Sequence, residues 1–153
     1  MINVLFVCLG NICRSPMAEA LFRHLVQQEG LEDKIRVDSA GTSDWHVGSP
    51  PHEGTAAILK KYNVETEGLA GRQLSKQDFE AFDYIVGMDE SNIENIYHIV
   101  KQPKHPKVIR LLDLTATPKD VPDPYYTGDF QETYDLVLDG CQALLNKIKA
   151  EQF

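Results

Sequence analysis

The chain has 153 residues, 42% of them hydrophobic, and a formal net charge of −8. That length suits one domain with a real core, here residues 1–153, and is short for two; the acidic balance excludes the basic surface that broad nucleic-acid or anionic-membrane binding requires. No apolar run approaches the roughly 20 residues of a membrane span, and no basic segment followed by a long apolar one opens the chain, so a soluble, cytoplasmic protein is expected.

In chain order, Asn3 to Val7 reads as a strand and Met17 to Val26 as a helix, with Met17, Ala20, Leu21, His24 and Leu25 at helical spacing. Ile35 to Ser39 is a second strand. The loop Gly41 to Pro51 then carries the only tryptophan, Trp45, either as a border of a ligand mouth or as a core anchor. His52 to Tyr62 and Glu90 to Val100 read as helices, and Lys76 to Phe82 as a short one behind a Ser75 cap. Tyr84 to Met88 and Val108 to Leu112 complete the strands. The loop Asp113 to Asp129 holds Pro118, Pro122 and Pro124 with Tyr125 and Tyr126. A last helix shows the stripe Phe130, Tyr134, Val137, Leu138, Cys141, Leu144, Leu145 and Ile148, which makes Cys141 a core residue. Strands alternating with helices predict an α/β fold with a parallel sheet. Ligands bind beyond the carboxyl ends of such strands, where the loop after strand one and the two long loops are placed to meet.

The run Val7-Cys8-Leu9-Gly10-Asn11-Ile12-Cys13-Arg14-Ser15-Pro16 follows the first strand and enters the first helix. A short loop of this kind turns backbone N–H groups toward one point and aims a positive helix end at it, which suits an anion. Cys8 supplies a nucleophile, and Arg14 a planar fork that matches a tetrahedral oxyanion as lysine cannot. Gly10 and Asn11 tolerate positive φ and so help bend the amides inward. Neither an ATP/GTP phosphate loop nor a dinucleotide loop occurs in the chain. The segment proposes covalent chemistry on a phosphate, with loop amides and Arg14 favouring the thiolate.

Such chemistry benefits from a general acid above the nucleophile. Asp123, between Pro122 and Pro124 and beside Tyr125 and Tyr126, is framed for that role, whereas Asp120 and Asp129 lack the same framing. Cys8, Cys13 and Cys141 are an odd number with no disulfide framework. Zinc is not expected, since there is no Cys-x2-Cys pair and the five histidines are scattered singly. His46 and His52 are minor candidates for a cysteine–histidine hydrolase.

Together these segments resemble the low-molecular-weight protein tyrosine phosphatases. The resemblance is carried by Cys8 to Pro16, by Asp38-Ser39-Ala40-Gly41 followed by Trp45, by Phe82-Asp83-Tyr84 leading to Met88-Asp89, and by Asp123-Pro124-Tyr125-Tyr126. It implies a Rossmann-like three-layer sandwich with a four-stranded parallel sheet flanked by helices, no metal or cofactor, and hydrolysis of phosphotyrosine in proteins with inorganic phosphate as product. It makes Cys8 the nucleophile, Arg14 the phosphate clamp, Ser15 a hydroxyl donor to the thiolate and Asp123 acid and then base. Leu9, Gly10, Asn11, Ile12 and Cys13 would cradle the substrate, Trp45, Tyr125 and Tyr126 would wall it, and Asn11 with Ser39 would brace the loop. A monomer or weak self-association is expected. Many relatives carry a histidine three residues before an Arg-Gln pair; here Leu69-Ala70-Gly71 precedes Arg72-Gln73, which leaves the support of Asn11 and Ser39 open.

Arsenate reductases share the Cys-x5-Arg loop but need further cysteines, and Met88 to Val100 has none. Arginine phosphatases resemble this family but carry threonine at the position of Ile12, whose bulk favours an aromatic substrate. A phosphotyrosine-binding module without turnover is disfavoured by intact Cys8, Arg14, Ser15 and Asp123. Cys13, five residues after Cys8 in one curved loop, is placed to trap an oxidised Cys8 as a disulfide.

Overall fold

The computed structural model describes all residues, 1–153. Four strands, β1 (Ile2–Cys8), β2 (Ile35–Gly41), β3 (Tyr84–Gly87) and β4 (Val108–Arg110), form one sheet in the order β2-β1-β3-β4, with every pairing parallel. β1 is central, pairing residue for residue with β2 from Ile2↔Ile35 to Cys8↔Gly41 and with β3 from Val4↔Tyr84 to Val7↔Gly87. Its side chains alternate across the sheet, as a strand's must. Val4, Phe6 and Cys8 enter a core shared with α1 (Arg14–Gln28) and α6 (Phe130–Gln152). Leu5 and Val7 enter a smaller core with Phe79, Ile96 and Val100, from α3 (Asp78–Ala81) and α4 (Glu90–Val100). Helices α2 (Glu53–Lys61) and α5 (Pro124–Thr127) complete the set. This is the helix-flanked parallel sheet that the alternating pattern predicts, in the Rossmann-like, four-stranded form that the resemblance implies.

Boundaries differ where local chemistry decides them. α1 begins at Arg14, three residues before the predicted start at Met17, because Pro16 falls in the first turn, where an N–H has no helical partner to lose. β4 ends at Arg110, and Leu111–Leu114 wind into a 3₁₀ turn instead of continuing the strand. Leu111 and Leu112 are buried there, and Gly140 of α6 leaves room for the Leu111 side chain. The Ser75 cap is reversed: Asp78 accepts from Ser75 N–H at 2.8 Å, and the short helix starts at Asp78, not at Lys76. No helix is long and apolar enough to cross a membrane.

Candidate active site

The turn from β1 to α1 occupies residues 9–13 at the carboxyl end of the central strand. Its carbonyls are held from outside. Cys8 O accepts from Thr42 N (2.9 Å), Leu9 O from Ser43 N (3.0 Å) and Ser43 Oγ (2.9 Å), Ile12 O from His52 N (2.7 Å), and Cys13 O from Thr55 Oγ1 (3.1 Å). The N–H groups of Leu9, Gly10, Ile12 and Cys13 have no acceptor within the protein, while Asn11 N–H donates to Cys8 Sγ at 3.3 Å. A ring of free donors around a buried sulfur is what an oxyanion satisfies.

Of the two loop residues that tolerate positive φ, Asn11 adopts it, at φ 56°, and Gly10 does not. Gly10 eases the packing of the loop instead, since a Cβ there would press to 3.2 Å from the His46 ring. Gly41 serves the same end: a Cβ would meet Leu9 O at 2.9 Å, so the loop crosses closely over the end of β2.

Arg14 is 2% exposed, and its guanidinium is held from two sides. Nη1 donates to Asp89 Oδ2 (2.7 Å) and Val121 O (3.0 Å), and Nη2 reaches Asp123 Oδ2 at 3.4 Å. Nε is buried without a partner, a further donor at the site. Burial opposes the charge, but Cys8, Asp89 and Asp123 more than offset it and hold the guanidinium above its ordinary range.

Behind the loop runs a buried polar chain. Asn11 Nδ2 donates to Ser15 Oγ (2.7 Å) and Ser39 Oγ (3.0 Å), Ser39 Oγ donates to Glu19 Oε1 (2.6 Å), and Asn11 Oδ1 accepts from Arg72 N (2.9 Å). Since Ser15 Oγ accepts from Asn11, its own proton is free for Cys8 Sγ at 3.0 Å. The support left open by the absent histidine comes from Glu19 and Arg72. Arg72 is itself tied to Asp38 (3.0 Å) and Asp78 (3.0 Å). Burial raises the Glu19 carboxyl above the usual carboxylate range, the Ser39 hydroxyl partly offsets this, and Asp38 adds to it.

A cleft of about 150 Å³ opens over Cys8. Leu9, Gly10, Ile12 and Cys13 line its floor, and Asp123, Trp45, Tyr125 and Tyr126 its walls, with His46 beside Trp45. Trp45 is 67% exposed, so the core-anchor alternative fails and its ring belongs to the mouth. Asp123 caps α5, its Oδ1 accepting from Tyr125 N at 3.1 Å, and Pro124 occupies the first helical position. Cys13 is buried; burial first, then the Asp123 and Cys8 charges, push its thiol up to about 12. Cys141 is fully buried in the α6 core, where burial raises its thiol, as the helical stripe predicts.

Sequence reasoning brought together Cys8, Arg14, Ser15, Asp123, Asn11, Ser39 and the aromatic walls. It missed Asp89, Glu19 and Arg72 as supports. Glu19 was detectable, standing four residues after Ser15 on one helical face; Asp89 follows β3 at the sheet's carboxyl end, where sites form.

A donor-lined cup floored by a thiol at the end of a central parallel strand, with an arginine and an aspartate across it, is a site shaped for a tetrahedral oxyanion, as in a phosphatase. The family model for low molecular weight phosphotyrosine protein phosphatase matches residues 3–153, and the chain belongs to that family and is a protein-tyrosine phosphatase. It is 51% identical to the low molecular weight protein-tyrosine-phosphatase YfkJ of Bacillus subtilis, over 99% of both chains. It is 46% identical to PtpA of Staphylococcus aureus, over 97% of this chain and 94% of that one. The crystal structure of YfkJ superimposes with a TM-score of 0.97 over 100% of this chain and 98% of that one, at 50% identity.

Proposed function

We propose that residues 1–153 act as one cytoplasmic domain, monomeric or weakly self-associating, that hydrolyses phosphotyrosine in proteins through a phosphocysteine at Cys8 and releases inorganic phosphate. The observation that carries this is the set of unpaired donors around Cys8 Sγ: four loop N–H groups and the buried Arg14 Nε. A phosphate dianion would satisfy them together. Cys8 thiolate attacks phosphorus in line, and the phosphorus–oxygen bond to the tyrosine breaks as Asp123 donates its proton to the leaving oxygen. The bound dianion competes with Asp123 for the Arg14 fork, which frees that carboxyl to face the leaving oxygen. Water then attacks the phosphocysteine, Asp123 takes its proton, and the Ser15 hydroxyl receives the returning thiolate. The bulk of Ile12 and the Trp45, Tyr125 and Tyr126 rings support an aryl substrate.

Cys8→Ser tests the assignment. It should abolish turnover of p-nitrophenyl phosphate without added metal while still binding inorganic phosphate, and Cys141→Ser should stay active. Normal turnover by Cys8→Ser would overturn the reading. We also propose redox protection: peroxide converts Cys8 thiolate to sulfenic acid, and Cys13 thiol displaces water from it to form a disulfide that a thiol reductant reverses. Peptide mapping should find that link, and Cys13→Ser should lose activity irreversibly under the same peroxide.

A further inference from the structure

His52 joins two parts of the cleft. Its backbone N–H donates to Ile12 O at 2.7 Å and so grips the phosphate loop from outside. Its Nδ1 accepts from Gly54 N–H at 3.0 Å and caps α2, which fixes the direction of the ring. The imidazole then stacks on Phe130, with centroids 5.1 Å apart and planes at 22°. It also meets Tyr125 edge to face, at 6.1 Å and 79°. Gly54 makes this possible, because a Cβ there would lie 2.5 Å from the Phe130 ring. Pro50 and Pro51 restrict the backbone leading in.

Tyr125 needs such support. It is 56% exposed and stands on the four-residue helix α5; its ring neighbours are His52 and Tyr126, the latter itself 74% exposed. An exposed aromatic on one helical turn keeps several rotamers unless something holds it.

We propose that His52 is a positioning residue that holds Tyr125 as a wall of the cleft and thereby sets a preference for aryl over alkyl phosphate groups. This rests on the phosphotyrosine-hydrolase reading above. The pairing predicts a split in the kinetics, because His52 touches the wall through its ring and the phosphate loop through its backbone.

Two variants separate these functions. His52→Asn keeps an N-cap oxygen and the backbone bond to Ile12 but removes the ring; His52→Phe keeps a ring and loses the cap. KM for p-nitrophenyl phosphate and inhibition constants for phenylphosphonate, methylphosphonate and inorganic phosphate are measured on each, with melting temperature as a folding check. In His52→Asn, KM and the phenylphosphonate constant should rise about threefold to tenfold, the scale of an aromatic pair. The methylphosphonate and phosphate constants should stay within about twofold. His52→Phe should return toward wild type, and in a Tyr125→Leu background His52→Asn should add nothing further. An unmoved phenyl-to-methyl ratio in His52→Asn, equal impairment of the two variants, or additive effects with Tyr125→Leu would overturn the proposal. A wild type inert toward p-nitrophenyl phosphate would instead remove the reading beneath it.

Discussion

Arg14 meets several demands at once: Asp89, Val121 O and Asp123 take its two Nη groups while Nε is left for a ligand. A lysine ammonium cannot divide itself this way. Arg14→Lys should therefore lower kcat/KM by about 100-fold or more, the scale for removing a fixed donor to a developing oxyanion, and should weaken phosphate binding in calorimetry. Asp123→Asn should slow aryl phosphates with poor leaving groups by about 100-fold, with the loss shrinking for good ones that need less protonation; a uniform loss across leaving groups would contradict the role. Glu19 makes a stability prediction. Its carboxyl is raised by burial, so the native state holds its proton above the ordinary 4.5 at which the unfolded chain releases it. Its contribution is then fully present below about 4.5 and lost as pH rises through the raised native value. Glu19→Gln keeps an acceptor for Ser39 and cannot ionise. Its melting temperature should fall less than that of wild type as pH climbs through this window, and parallel curves would count against a raised carboxyl.

Cys8, Arg14 and Asp123 could be singled out because each lies in a local pattern: a strand-to-helix run and a proline-framed turn. Asp89 and Glu19 could not be paired with Arg14 and Ser39, since those pairs span 75 and 20 positions and form only through the sheet. Periodicity does not separate short apolar segments, so the run Val108 to Leu112 reads as all strand; α6 decides the matter by enclosing Leu111. The Trp45 loop belongs to this scale as well. Gly71 N–H donates to Ser49 O (2.8 Å) and Gly71 O accepts from Gly48 N–H (2.8 Å), while the next residue, Arg72, donates to Asn11. A Cβ on Gly71 would collide with His46 O, so the substrate rim and the loop brace share one backbone stretch. Gly71→Ala should raise KM for aryl phosphates severalfold and destabilise the fold by about 1–3 kcal/mol, as overpacking does, measured by kinetics and urea unfolding.

Taken whole, the molecule carries −8 while its site binds an anion, so local positive potential works against an unfavourable long-range field. Association with an acidic phosphotyrosine peptide should quicken with added sodium chloride, by about twofold on approaching 0.15 M ionic strength, where the Debye length shrinks to about 8 Å. Stopped-flow or kcat/KM measurements across salt would check this, and a falling rate would indicate a basic approach path instead. A last consequence belongs to the central strand. β1 is bonded on both edges and its Val4 to Val7 side chains are fully buried, so its amides should exchange with deuterium only on global unfolding. Asp123 instead rides on a segment anchored by Val121 to Met88 and Arg14, and by Asp120 to Arg110 and the Glu90 N–H. That segment should open long before the sheet does. At denaturant concentrations well short of the midpoint, the protein should then become a phosphate receptor without an acid: ligand still protects the β1 amides, while turnover of demanding leaving groups has already failed.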